Sequence, residues 1–207
     1  MDRAVLQYGS ALILWKAVVS DMHMLLSFFD RLGMIFINTG MHMHALDMLA
    51  LFTHTLKWYH LILFILIIIP VLSDARRQWF VVIISLIVLL IVTNWLCTQI
   101  KLMVDRPRPY VHWGFVRIVV RAAYDGMSFP SAHAANISAA AAFCYFLKPK
   151  SSLPIITLAL AVSFLRIYAG VHYPTDVIAG MILGILTGYG FYSFLIRLRF
   201  RSRRKTA

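Results

Sequence analysis

Five segments of this 207-residue chain approach the length at which an α-helix crosses a lipid bilayer: roughly 55–73, 79–100, 131–147, 153–170 and 177–196. A spanning helix needs ~20 mostly apolar residues, because hydrocarbon offers no water to an exposed backbone amide. The links between the segments are short, so the chain reads as an all-α, polytopic membrane bundle forming one domain, 1–207. Composition agrees: 61% of residues are hydrophobic and 14% charged. That is too apolar for a disordered chain and too poor in charge for a water-facing shell. Ala4 to Val19 is apolar except for Gln7 and Lys16, which predicts a sixth span near 4–20. Lys16 interrupts the apolar core that a cleaved signal peptide needs, and no A-x-A site follows. The amphipathic stretch from Met22 through Leu51 reads as an interfacial helix. Within it Met41-His-Met-His44 has the donor chemistry of a soft-metal site, but the helix is the preferred reading.

The formal charge is +12, and all eight acidic residues are aspartates. Mechanisms that require glutamate, including the HExxH zinc hydrolases, are therefore excluded. Cys97 and Cys144 both fall in apolar runs and read as buried free thiols. Lysine and arginine gather at Arg76 and Arg77, at Lys148 and Lys150, and in the tail 197–207. Alternate crossing puts these clusters on one side, which the positive-inside rule makes the cytoplasm. The basic tail reads as an anchor to anionic lipid, with no nucleic-acid partner. Residues 101–130 and 170–176 then face outward. The first of these carries Lys101, Arg106, Arg108, Arg117 and Arg121 against only Asp105 and Asp125, which suits an anionic ligand or a solvated basic loop.

Three outward patches carry chemistry. In the first, Lys101 to Pro109, the prolines at 107 and 109 bias Arg106 and Arg108 toward extended backbone. Lysine offers phosphate a point charge and arginine a planar fork. Asn94, Thr98 and Lys101 recur at helical spacing and give this helix a polar face. The second patch, Ser128-Phe-Pro-Ser-Ala-His133, opens the next apolar segment. Ser131 is placed to cap a helix whose first-turn amides form an anion site, with His133 beside it as a proton donor. The plain alternative is a capped helix with an incidental histidine. In the third patch, Arg166 to Asp176, Gly170 ends one helix and Pro174 or Thr175 starts the next, leaving His172 on a turn. Asp176 could accept the Nδ1 proton of His172 and free Nε2 for attack. The alternative is a structural Arg166–Asp176 ion pair.

Together the patches read K-x6-R-P, P-S-x-H and R-x5-H-x3-D, an order that resembles the type 2 phosphatidic acid phosphatase superfamily of integral-membrane lipid phosphate phosphatases. The resemblance covers about 45–200, and the small bacterial members, such as undecaprenyl-diphosphate phosphatases, are most similar. It implies a six-helix membrane bundle and a metal-independent lipid phosphatase with no cofactor. It further implies that His172 is the nucleophile, oriented by Asp176, and that His133 protonates the leaving oxygen. Lys101, Arg108, Arg166 and Ser131 would bind the phosphate. Two departures stand out: Leu165 where the family usually has serine, and Ala132 where it has glycine. Losing a hydroxyl beside Arg166 should reduce polar support and alanine for glycine is a small steric change at a helix start, and neither should abolish activity. Arg117 and Arg121 are candidate contacts to a second phosphate, which favours undecaprenyl diphosphate as substrate. The alternatives are phosphatidylglycerophosphate, phosphatidic acid or lipid A, a lipid phosphotransferase, and an anion transporter. A transporter would need charged or broken helices near mid-membrane, whereas these polar residues cluster at one end. Gly180, Gly184 and Gly188 recur every four residues and read as scaffold that packs the last helix against Ala134 to Ala142.

Overall fold

The computed structural model describes residues 21–22, 24–55, 76–120 and 126–205. Its frame is five helices: α1 (His44–Thr55), α2 (Arg76–Val104), α3 (Ala132–Leu147), α4 (Leu153–Tyr168) and α5 (Pro174–Lys205). Ahead of α1, a helical stretch over 24–33 passes into a π-helical turn, Met34–Thr39. Among the described residues no strand forms, and one antiparallel bridge joins Pro107 to Met127.

α3 is the centre, packed against α5, α4 and α2, while α1 lies on α4. Its sequence explains this place. Every residue from Ala134 to Phe143 is buried, and six of those ten are alanine, so neighbours can approach closely on all sides. α5 matches it with the four-residue glycine repeat. A Cβ on Gly180 would lie 2.5 Å from the Ser131 carbonyl oxygen, one on Gly188 would lie 2.5 Å from that of Ala139, and one on Gly184 would collide with that of Ala135. Small residues on both helices let backbone meet backbone, where dispersion and close packing hold helices together in lipid. Leu86, Leu89 and Leu90 of α2, with Ile155 of α4, close the core around Ile137 and Phe143. The opposite face of α2 leaves Ile84, Val88, Ile91, Val92 and Trp95 exposed, as α5 does Ile182, Ile185 and Leu186. An apolar surface of this extent suits lipid and not water.

Val82–Val104 in α2 and Pro174–Arg197 in α5 are long and apolar enough to cross a membrane. α3 and α4 have 16 residues each. At 1.5 Å per residue each is about 24 Å long, short of a hydrocarbon core of ~30 Å. The expected spans near 4–20 and 55–73 lie outside the described residues, Thr55 excepted; of the four expected spans that are described, two reach spanning length. The stretch expected to be interfacial is helical in two pieces separated around Gly40, and it is docked on the bundle: Asp30, Met34, Asn38, Ala50 and Thr53 are all buried. Both thiols are free, Cys97 buried and Cys144 partly so.

Gly170 turns the chain between α4 and α5. Its φ of +78° is open to glycine at little cost, and a Cβ there would lie 2.5 Å from the Arg117 carbonyl oxygen. Pro174 then starts α5, as the sequence suggests. The C-termini of α2 and α4 therefore meet the N-termini of α3 and α5 at one end of the bundle. Lys148 and Lys150 lie at the other end of α3.

Candidate active site

The three sequence patches converge at that end through backbone contacts. Asp105, with φ of +45°, turns the chain out of α2. The Ser128 amide donates to the Arg106 carbonyl at 2.7 Å, and the buried Lys101 Nζ donates to the Met127 carbonyl at 2.8 Å. The first patch is thus tied to the second. Arg108 is extended, with φ −74° and ψ 154°, as the proline after it requires. Its buried guanidinium donates through Nη1 to the Val171 carbonyl at 2.9 Å, which ties the first patch to the third. The Ser131 amide donates to the Asp176 carbonyl at 3.0 Å and joins the second patch to the third.

His172 is buried on the turn before α5, and its Nδ1 lies 2.8 Å from the Ser128 carbonyl oxygen. A carbonyl can only accept, so Nδ1 carries the proton and Nε2 keeps its lone pair. Asp176 was expected to take that proton, but its Oδ2 lies farther off, at 3.7 Å. Both Asp176 oxygens are engaged elsewhere: Oδ1 accepts from Arg106 Nη1 at 2.6 Å and Oδ2 from the Tyr173 amide at 2.9 Å. Burial drives the His172 pKa down to about 4, against the opposing pull of Asp176, with Arg108 and Lys101 adding to the depression. The ring is therefore a neutral nucleophile at physiological pH, in electrostatic reach of two cations. His133, in the first turn of α3, is in electrostatic reach of Arg166, Arg108 and His172.

Arg166 is buried at the end of α4 and does not pair with Asp176. Its Nη2 donates to Thr53 Oγ1 at 2.6 Å and approaches the Ala50 carbonyl at 3.5 Å. Its Nε finds no hydrogen-bond partner among the described residues, and neither does the buried Ser131 hydroxyl. Ser131 occupies the N-cap position of α3, yet its side chain makes no cap hydrogen bond. A buried cation donor and a buried hydroxyl left without partners are costly unless something polar takes them up. An oxyanion is a suitable partner for either.

Arg117 is placed differently from the expected second-phosphate contact. Its Nη1 pairs with Asp47 at 2.8 Å, and its guanidinium lies 5.0 Å from the Tyr168 ring centroid, while Tyr168 donates its own hydroxyl proton to Asp47 at 2.6 Å. Arg121 lies outside the described residues. Of the polar face on α2, Asn94 approaches Asn136 of α3 at 3.5 Å and Thr98 bonds back to the Asn94 carbonyl, so only Lys101 reaches the site. Leu165, the first departure, is buried among Ala50, Tyr168 and Val171.

Sequence reasoning missed Asp30, Thr53 and His54, and it gave Arg106 no partner. Asp30 and Arg106 pair at 2.6 Å across 76 positions of chain. Thr53 holds Arg166 from a helix 113 positions away. His54, beside it, is in electrostatic reach of Arg166 and Arg108. A polar residue in an amphipathic stretch signals a buried partner without naming it, and nothing local in the chain supplies the name.

Comparison with known proteins places the chain in a family. The family model described as the PAP2 superfamily matches residues 81–200. The lipid A 4'-phosphatase of Bacteroides thetaiotaomicron is 41% identical over 83 residues, 39% of this chain and 37% of that protein. The undecaprenyl-diphosphatase BcrC of Bacillus subtilis is 33% identical over 109 residues, 53% of this chain and 54% of that protein. The matches thus span about a third to a half of these relatives' lengths. A solved structure, the first transmembrane PAP2 type phosphatidylglycerolphosphate phosphatase from Bacillus subtilis, shares the fold, with a TM-score of 0.65 and 21% identity over 95% of this chain and 98% of that one. The family match covers more than half of the chain and takes in Lys101, Arg108, Ser131, His133, Arg166, His172 and Asp176, so the chain belongs to the PAP2 superfamily.

Proposed function

We propose that this chain is a membrane lipid phosphatase that works through a phosphohistidine on His172. The observation that carries the proposal is the buried neutral imidazole, its Nδ1 proton committed to the Ser128 carbonyl at 2.8 Å, in electrostatic reach of Lys101 and Arg108. The Nε2 lone pair forms the N–P bond as the bond from phosphorus to the lipid oxygen breaks, and His133, protonated once the anionic phosphate offsets Arg166 and Arg108 beside it, gives that proton to the oxygen. Water then attacks phosphorus and loses its proton to His133. The N–P bond breaks, Nε2 recovers its electron pair, and inorganic phosphate leaves. Charge on the phosphate oxygens is held by Lys101, Arg108, the free Nε of Arg166 and the Ser131 hydroxyl. Asp176, 3.7 Å from the ring, stabilises the positive charge that attack creates. The scheme uses no metal or cofactor.

The substrate is the phosphate end of a bilayer lipid, and undecaprenyl diphosphate is the leading reading, as for a relative named undecaprenyl-diphosphatase. One observation favours a second reading: Arg117 is paired with Asp47, so a second phosphate would compete with that pair. A monophosphate such as the one on lipid A makes no such demand. The site faces the exterior of the inner membrane, supported by Lys148, Lys150 and Arg197 lying at the bundle end away from it.

The test is phosphate release by purified protein in detergent, across polyprenyl diphosphate, lipid A, phosphatidylglycerophosphate and phosphatidic acid, with and without a chelator. Wild type should form an acid-labile phosphohistidine, and His172→Ala should form none while staying folded. Loss of activity with the chelator, or turnover by His172→Ala, refutes the scheme. Phosphate recovered on a second lipid, and not in solution, makes the protein a phosphotransferase.

A further inference from the structure

Behind Asp176 lies a chain of contacts that the phosphohistidine scheme leaves unused. Asp30 is fully buried on the helical stretch before the π-turn. Its Oδ1 accepts from the Thr175 amide at 2.9 Å, and its Oδ2 accepts from the Thr175 hydroxyl at 2.7 Å and from Arg106 Nη2 at 2.6 Å. Arg106 completes the link with its other nitrogen: Nη1 donates to Asp176 Oδ1 at 2.6 Å and to Thr175 Oγ1 at 2.8 Å. The guanidinium lies 3.8 Å over the Tyr173 ring. Burial alone would lower the Arg106 pKa, but Asp176 and Asp30 outweigh it and hold the pKa above its ordinary value, so the cation is permanent.

Counting charge along this chain shows what Asp30 does. Asp176 with Arg106 alone is a neutral pair. Facing His172, a neutral pair gives little stabilisation to the cation that forms when Nε2 bonds to phosphorus. A second carboxylate on the far side of the arginine restores one net negative charge, and does so in a buried setting where charge is weakly screened. An exposed Arg106 could be solvated by water, and a site without it would need no second carboxylate. The chain instead commits a buried aspartate from a distant helix to it, and Gly33 on the same stretch packs so closely on Pro174 that a Cβ would lie 2.5 Å from its Cγ.

We propose that Asp30 is a positioning residue that, through Arg106, keeps the Asp30–Arg106–Asp176 group net negative toward His172 and so speeds phosphorylation of the ring. The proposal rests on the phosphohistidine reading. It makes the segment before α1 part of the catalytic machinery, although that segment lies outside the family match at 81–200.

The experiment is rapid-quench measurement of phosphohistidine formation by full-length protein in detergent, with a lipid phosphate carrying an aryl leaving group. Asp30→Asn retains an acceptor for the Thr175 amide and removes the charge. It should slow phosphorylation on the order of 10- to 100-fold with KM changed less than about twofold. Asp30→Asn combined with Arg106→Gln removes one charge of each sign and leaves Asp176 negative, so the double variant should be faster than Asp30→Asn. A purely structural network predicts the reverse, since two sets of contacts are lost. Phosphorylation by Asp30→Asn at the wild-type rate, or a double variant slower than the single, overturns the proposal. Should Asp30→Asn fail to fold, the double variant is read against wild type: a rate within about tenfold supports the charge argument, and a larger loss overturns it. Absence of phosphohistidine in wild type would instead sink the underlying scheme, a result that the variants cannot mimic.

Discussion

Replacing Arg166 by lysine keeps the charge and removes the fork, which separates two contributions that alanine would merge. In the structure Nη2 is fixed by Thr53 Oγ1 at 2.6 Å, and the buried Nε has no hydrogen-bond partner among the described residues. The Nε–H is thus already desolvated and held by its partner nitrogen's bond to α1. Its contact with a phosphate oxygen in the transition state is charge-assisted, worth about 1.5–3 kcal/mol. A lysine ammonium retains a cation but neither the anchoring bond nor the fixed direction. The expected loss in kcat/KM is therefore about 10- to 150-fold. Thr53→Val keeps the shape of the side chain and removes the acceptor, so part of the same loss should appear with Arg166 intact. Because both changes act on one contact, they should be non-additive, with a coupling of about 0.5–3 kcal/mol. Phosphate release over a range of lipid concentrations separates kcat from KM, and thermal unfolding in detergent confirms that each variant is folded. A folded Arg166→Lys within about threefold of wild type, or strict additivity with Thr53→Val, would refute the role given to the free Nε.

Since the neutral ring attacks and burial holds the His172 pKa at about 4, phosphorylation should persist below pH 5 and fall only near that value. An acid limb near 6.5, after correction for the substrate's own titration, contradicts a buried neutral nucleophile. Gly184→Ala forces a Cβ against the Ala135 carbonyl and should cost about 1–3 kcal/mol in thermal unfolding. Gly190→Ala meets nothing within 4 Å and should be neutral or stabilising; equal effects would remove the backbone-approach argument. Cysteines placed at Ser151 and at the exposed Val111 should respond oppositely to an impermeant reagent on intact cells, Val111 labelling and Ser151 not. The inverse pattern reverses the orientation.

The helical architecture and the three patches that converge at the site could be read from the chain because their signals are local. Apolar length marks a helix that can be buried in lipid, and Gly170 and Pro174 mark the turn that holds His172. The glycine repeat of α5 foretold its fit on α3, since only small residues let backbones meet. The motif spacings placed Lys101, Arg108, Ser131, His133, Arg166, His172 and Asp176 at helix ends that must share one side of the bundle.

Partnership was what the chain alone left open. Asp176 lies four residues from His172, a spacing that suggested a direct hydrogen bond, yet Nδ1 turns to the Ser128 carbonyl and Asp176 to Arg106. Arg117 reads by charge as a substrate contact, and in the packed bundle its Nη1 is taken by Asp47 while its buried Nε has no hydrogen-bond partner among the described residues. Ser131 stands at a cap position and leaves its hydroxyl uncommitted. Local spacing determines which helix face a residue occupies, because 3.6 residues make a turn whatever lies around it. Which buried charge it meets is decided by the competition of every donor and acceptor brought to the same end of the bundle, and that competition exists only once α1, α2, α3, α4 and α5 have packed.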